Sequence, residues 1–140
     1  ERCSVLPESV ASRIHVAAVS MEDREVNATV VNAVQRVSSV VTQRSLIEAF
    51  GLTVAEAMWK KAPVVASAVG GIRDQIDDGV DGVLVDPTDG VAWAEAVRDL
   101  LLFPERAQDM GLAAHEAVRR EFLSNRHLQD LLQIVADQVG

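Results

Sequence analysis

Residues Ser45–Gly71 have the sequence SLIEAFGLTVAEAMWKKAPVVASAVGG, and this stretch decides the fold. Two glutamates with seven residues between them, Glu48 and Glu56, flank a break at Phe50-Gly51. The pattern predicts a loop, a helix, a strand and a Gly-Gly turn, in that order. In open α/β sheets, the loops beyond the carboxyl ends of the strands bind ligands. We therefore expect a ligand site beside these glutamates.

Apolar β-branched runs alternate with helical patterns along the rest of the chain. This alternation predicts an α/β fold, a partial Rossmann-like parallel sheet flanked by helices, with helices at the C-terminus. The predicted strands are Ile14–Val19, Val40–Arg44, Pro63–Ser67 and Gly82–Val85. The predicted helices are Asn27–Ser38, Thr53–Lys61, a helix or turn at Ile72–Asp78, and three helices that begin near Asp89, Pro104 and Ser124. At this length we expect one domain over residues 1–140.

The three C-terminal helices carry apolar stripes at helical spacing. Their positions are Trp93, Ala94, Val97, Leu100 and Leu101 in the first, Met110, Ala114, Ala117 and Val118 in the second, and Leu128, Leu131, Leu132, Val135 and Val139 in the third. We expect the second helix to bury its stripe. Trp59 and Trp93 are expected in the core and not in a ligand site.

Composition limits the classes of function. The formal net charge is −8, which argues against binding to nucleic acid or to an anionic membrane, because both require basic surfaces. Apolar residues make up 49% and charged residues 24%, as in an ordinary globular protein, and no apolar run is long enough to span a bilayer. The single cysteine, Cys3, excludes a disulfide framework and predicts a reducing, cytoplasmic location.

The glutamates and the break between them have both functional and purely structural interpretations. Amides at a helix start after Gly51 favour phosphate, although a strand-to-helix turn also uses glycine. Glu56 has the spacing of a capping box with Thr53, or it binds vicinal hydroxyls, as acidic residues do with ribose. Glu48 binds sugar hydroxyls or is a solvated loop residue.

Several other motifs carry no predicted site. The turn at Asp77–Gly82 lacks the ligands of a calcium loop and is expected to be solvated. The three histidines, His15, His115 and His127, lack metal-ligand spacing. Gly70-Gly71 belongs to no dinucleotide fingerprint. We therefore predict no cofactor and a metal-independent protein.

Together the motifs resemble a known family. The string is Ser45-x-x-Glu48-x-Phe50-Gly51-Leu52-Thr53-x-x-Glu56-Ala57-Met58, followed by Pro63-Val-Val-Ala-Ser67-x-x-Gly70-Gly71. It resembles the C-terminal donor-binding domain of retaining GT-B glycosyltransferases of family 4, and it is most similar to the trehalose synthase and trehalose phosphorylase branch. The resemblance covers roughly residues 14–122. Ala49 and Ala62 stand where the family commonly has glycine.

The resemblance implies roles for the motif residues. Glu48 would be the catalytic residue and would hold hydroxyls of the donor sugar. The backbone at Ala49, Phe50, Gly51, Leu52 and Thr53 would bind the donor, with the amides from Phe50 onward meeting its phosphate. Glu56 would hold the ribose of a nucleotide donor. The implied partners are a nucleotide-sugar donor, a sugar acceptor and no nucleic acid, and the transferred sugar would keep its anomeric configuration.

The resemblance also implies that parts of the enzyme lie outside these residues. The family's donor domain opens with a strand, a helix and a second strand that carry an Arg and a Lys for the donor phosphates. Residues before Ile14 are too few to supply this segment, so we expect the chain alone to be inactive and its Ile14–Val19 strand to lie beside the next one. Open strand edges predict a homo-oligomer. A phosphorylase that uses glucose 1-phosphate and a non-catalytic α/β interaction module remain alternatives.

Overall fold

The computed structural model describes residues 6–20, 22–123, 132–135 and 137, and it divides the chain into two compact units, 1–32 and 33–140. In the first unit, α1 spans Glu8–Ala11. Helix α2 spans Arg24–Val37, so it begins three residues before the predicted start. Asp23 caps it, because its Oδ1 accepts hydrogen bonds from the amides of Glu25 and Val26, both at 3.0 Å. Apolar spacing alone missed this cap.

The predicted strand at Ile14–Val19 is wrong. These residues form neither strand nor helix, and the side chain of Val16 is 88% exposed. A strand requires a neighbour to satisfy its backbone groups, and no described strand pairs with this segment. The predicted arrangement of four strands is therefore wrong as well.

The second unit contains a parallel sheet of three strands in the order β1-β2-β3. The strands are β1 (Val41–Gln43), β2 (Val64–Ser67) and β3 (Val83–Val85). In the register, Gln43 lies opposite Ala66, and Ser67 lies opposite Val85. The sheet confirms the predicted α/β class, and the three later strand predictions are each correct to within one or two residues.

Helices cover both faces of this sheet. The side chains of the central strand β2 alternate between the two faces, and all four of its residues are buried. The helices of this unit are α3 (Leu52–Trp59), α4 (Ile72–Gln75), α5 (Gly90–Leu102) and α6 (Pro104–Glu121). One core joins Val64 to Met58 of α3 and Ala114 of α6. The other joins Val65 to Trp93 of α5. Complete burial of a side chain such as Met58 stabilises the fold by about 1.5–3 kcal/mol.

The C-terminal helices follow most of the sequence predictions. Asp89 caps α5 by accepting hydrogen bonds from two amides, and Pro104 opens α6. The predicted stripe of α5 is only partly buried, because Ala94 and Leu101 are exposed. Of the predicted third helix, Ser124, Leu128, Leu131 and Val139 lie outside the described residues, whereas Leu132 and Val135 are described and exposed.

Candidate functional site

The Phe-Gly break is a left-handed turn that starts helix α3. Gly51 has φ +85° and occupies the N-cap position. A Cβ at this residue would lie 2.7 Å from Cγ1 of Ile72, so glycine is required here both by conformation and by space. The turn separates the loop that carries Glu48 from the helix that carries Glu56, as the sequence predicts.

The Gly-Gly turn packs directly on the backbone of this loop. A Cβ at Gly70 would overlap with the carbonyl oxygen of Glu48, and a Cβ at Gly71 would overlap with that of Ala49. The amide of Gly71 donates a hydrogen bond to the carbonyl of Ala49 at 3.2 Å. Residues 48–51, which we call the Glu48 loop, are therefore held against the end of β2 by two glycines.

A buried glutamine completes this attachment. Gln75 of α4 is 4% exposed, and its Nε2 donates a hydrogen bond to the carbonyl of Phe50. Its Oε1 is buried without a partner among the described residues. Gln75 could not be predicted from the sequence, because a glutamine in such a short helix carries no periodic or motif signal.

The start of α3 presents free amides. The amides of Val54 and Ala55 both donate to the carbonyl of Gly51, at 2.9 and 3.2 Å. Within the described part of the chain, the amides of Leu52 and Thr53 have no acceptor, and Gly51 offers no side chain as a cap. Such unpaired amides lie at the positive end of the helix dipole, where an anion is stabilised.

The capping-box interpretation of Glu56 is wrong. Gly51 is the N-cap, so Thr53 lies inside the helix, and no side chain caps the helix start. The Glu56 carboxylate is half-buried and has no partner among the residues that the structure describes. Its position is therefore unexplained by helix capping.

Glu48, by contrast, is held by neighbouring side chains. The hydroxyl of Ser45 donates a hydrogen bond to Glu48 Oε2 at 3.3 Å. Nε2 of Gln43 donates in turn to Ser45 Oγ at 2.9 Å. All three residues are half-buried. The sequence motifs give no role to Gln43, the last residue of β1, or to Ser45, which lies two residues beyond the end of the strand.

The nearby cations are directed elsewhere or exposed. Nε of Arg44 donates to the carbonyl of Pro87 at 2.9 Å, and its guanidinium lies 5.6 Å from the ring centroid of Trp93. Arg73 is exposed on α4. Lys60 is also engaged, because its Nζ donates to Gln35 Oε1 at 2.6 Å. The contacts of Arg44 and Lys60 thus hold these two cations away from the amides of Leu52 and Thr53.

The acidic turn before β3 is not fully solvated, contrary to the sequence prediction. Asp81 is 7% exposed, and its Oδ1 accepts a hydrogen bond from the amide of Asp77 at 2.8 Å. Burial raises the pKa of the Asp81 carboxyl above its ordinary 3.8, although the hydrogen bond from Asp77 opposes this.

Over residues 6–20, 22–123, 132–135 and 137, no three His, Cys, Asp or Glu residues form a group that could hold a metal ion. None of the helices in these ranges is both long and apolar enough to cross a bilayer. The predicted metal independence remains a prediction.

Curated relatives match most of this chain. A trehalose synthase of Pyrococcus horikoshii is 49% identical over 110 residues, which are 79% of this chain and 26% of the relative. A trehalose synthase of Rubrobacter xylanophilus is 48% identical over 115 residues, 82% of this chain and 27% of that protein. The chain thus spans about a quarter of the length of these relatives.

Solved structures share the fold. A sucrose-phosphate synthase of Thermosynechococcus elongatus matches with a TM-score of 0.72 at 31% identity, over 89% of this chain and 30% of that one. The C-terminal domain of a group 1 family glycosyl transferase of Francisella tularensis matches with a TM-score of 0.66 at 21% identity, over 78% of this chain and 53% of that one. Residues 24–117 match the family described as glycosyl transferases group 1. The chain therefore belongs to the group 1 glycosyl transferases.

Proposed function

We propose that this chain is the donor-binding part of a longer retaining glucosyltransferase of the trehalose synthase type. The enzyme would transfer glucose from a nucleotide-activated donor to a glucose acceptor. The observation that carries the proposal is the Glu48 loop, which Gly70, Gly71 and Gln75 hold next to the free amides of Leu52 and Thr53. The relatives' names and their identity to this chain support the choice of reaction.

The proposed chemistry divides between the two sides of the loop. Transfer breaks the bond between the anomeric carbon of glucose and a phosphate oxygen, and it forms a bond from that carbon to the acceptor oxygen, whose proton leaves with the departing phosphate. Negative charge grows on the departing phosphate, where amides from Phe50 to Thr53 would stabilise it. Glu48 would contact the donor sugar as the catalytic residue, Ala49 would line the loop, and Glu56 would accept hydrogen bonds from the ribose.

Affinity of residues 1–140 for the donor is expected to be low. The donor diphosphate requires positive charge, whereas the chain has a net charge of −8 and Arg44 is directed to Pro87 and Trp93. We therefore propose that catalysis depends on basic residues supplied by the longer protein. The cytoplasmic location, the single donor-binding domain over residues 1–140 and the homo-oligomer formed through strand edges remain predictions.

The proposal is tested with the longest natural chain that carries these residues. Nucleoside diphosphate release from ADP-glucose or UDP-glucose should require added glucose, and the product should keep the anomeric configuration of the donor. Residues 1–140 alone should release none. Glucose-dependent release by residues 1–140, or an inverted product from the longer chain, would contradict the proposal.

One variant separates the synthase from a phosphorylase that uses glucose 1-phosphate. Glucose 1-phosphate has no ribose, so Glu56→Gln should weaken the use of a nucleotide sugar and leave the use of a sugar phosphate unchanged. In a non-catalytic interaction module, Glu56→Gln would leave ligand binding unchanged. The absence of a capping role for Glu56 favours the nucleotide-sugar enzyme over that module.

A further inference from the structure

The hydrogen bonds from Gln43 through Ser45 to Glu48 have only one consistent direction. The amide nitrogen of Gln43 is only a donor, so Ser45 Oγ accepts from it. The Ser45 proton is then free for Glu48 Oε2, which can only accept when ionised. In the opposite orientation of the Gln43 amide, the Gln43 amide oxygen and Glu48 Oε2 would both need to accept from Ser45, which has only one hydroxyl proton.

This chain of bonds begins at a rigid point. Gln43 is the last residue of β1 and pairs with Ala66 of the buried central strand. Glu48 lies in the Glu48 loop (residues 48–51), whose backbone is held by Gly70. The Glu48 carboxylate is therefore fixed from two sides, by its backbone and by its Oε2.

We propose that Gln43 and Ser45 are positioning residues, which occupy Glu48 Oε2 and direct its other carboxylate oxygen to the hydroxyls of the donor sugar. The inference rests on the proposed function, because it assigns a sugar ligand to Glu48. Within that function, the two residues would hold the half-buried Glu48 in one orientation before any donor binds.

The first arm of the test needs no ligand. The ¹³C chemical shift of the Glu48 carboxyl should change in Ser45→Ala and recover in Ser45→Thr, which keeps the hydroxyl. Thr42→Ala is the matched control, because Thr42 lies next to Gln43 in β1 but is exposed. An unchanged Glu48 carboxyl in Ser45→Ala would show that the bond is absent and would overturn the inference.

The second arm measures affinity in the longest natural chain, for ADP-glucose or UDP-glucose and for the matching nucleoside diphosphate. Loss of one hydrogen bond to a charged group should weaken nucleotide-sugar binding by about tenfold in Ser45→Ala, while the affinity for the diphosphate stays within about twofold. Equal weakening of both ligands would indicate a merely structural role, and unchanged nucleotide-sugar affinity would exclude positioning.

Gln43 variants test the direction of the bonds. Gln43→Glu places a second carboxylate beside Ser45. The Ser45 hydroxyl should then donate to this carboxylate and not to Glu48, and nucleotide-sugar binding should weaken as expected for Ser45→Ala. Gln43→Leu only frees the hydroxyl to rotate and should cost less. If Gln43→Glu binds the nucleotide sugar as the unaltered protein does, the proposed direction is wrong. If the unaltered longer chain binds no nucleotide sugar, the proposed function fails together with this role, while the carboxyl shift still reports whether the bond exists.

Discussion

Gly71→Ala tests whether the Gly-Gly turn holds the Glu48 loop in place. Gly71 has φ −67°, so alanine adopts its backbone conformation without strain, and the effect comes from space alone. The new Cβ would overlap with the carbonyl oxygen of Ala49 and would lie 3.1 Å from Cα of Phe50. Both are backbone atoms, so the loop itself must move. Overpacking of this kind lowers the free energy of unfolding by about 1–3 kcal/mol. Each kcal/mol lowers the melting temperature by about 4 °C in a chain of this size.

The matched control is Gly90→Ala. Gly90 is the first residue of α5, and a Cβ there would meet only Nη2 of Arg44, at 3.9 Å. Alanine in a helix is favoured over glycine, so this variant should be neutral or stabilised by up to about 1 kcal/mol. Thermal unfolding followed by circular dichroism measures both, and donor affinity in the longer chain should fall only for Gly71→Ala. If both variants melt within about 1 °C of each other and bind the donor equally, the described packing of the loop is wrong.

Three further substitutions give separate results. Glu56→Gln should change the unfolding free energy by less than about 0.5 kcal/mol, because no cap is lost. The same variant should weaken nucleotide-sugar binding about tenfold. Glu95→Gln, on the exposed surface of α5, is the control in both measurements. Ser67→Ala should stabilise the fold by about 1 kcal/mol in chemical denaturation, since the buried hydroxyl of Ser67 has no partner among the described residues; destabilisation would point to a partner. Asp81→Asn should gain stability relative to the unaltered chain as pH rises. The pKa of Asp81 is raised in the folded state, so its contribution is present below the ordinary 3.8 and is lost as pH rises through the folded pKa. A stability difference between Asp81→Asn and the unaltered chain that does not vary with pH would contradict the raised pKa of Asp81.

The sequence predicted the elements whose signals are local. Asp89 and Pro104 begin helices because each satisfies the first turn by itself. The buried β2 was predicted because a short apolar run bounded by Pro63 and the Gly-Gly turn has few other solutions. The segment Ile14–Val19 is also a short and largely apolar run, but no described strand lies beside it, and pairing is a property of the whole sheet.

The same distinction holds within the site. Glu48, Gly51 and Glu56 could be singled out because their types and spacing are unusual. The attachment of Gln75 to the Phe50 carbonyl joins residues 25 apart in the chain, and it exists only after α4 has folded beside the loop. The capping interpretation of Glu56 failed because the left-handed Gly51, and not Thr53, begins the helix.

The central claim is that the start of α3 binds a donor phosphate beside Glu48. The most direct measurement is backbone amide chemical-shift mapping of the longest natural chain during titration with a nucleotide glucose. We predict that the amides of residues 50–53 shift most and saturate together with the signal of Glu56. Saturable binding that shifts amides elsewhere and leaves residues 50–53 unchanged would contradict the account.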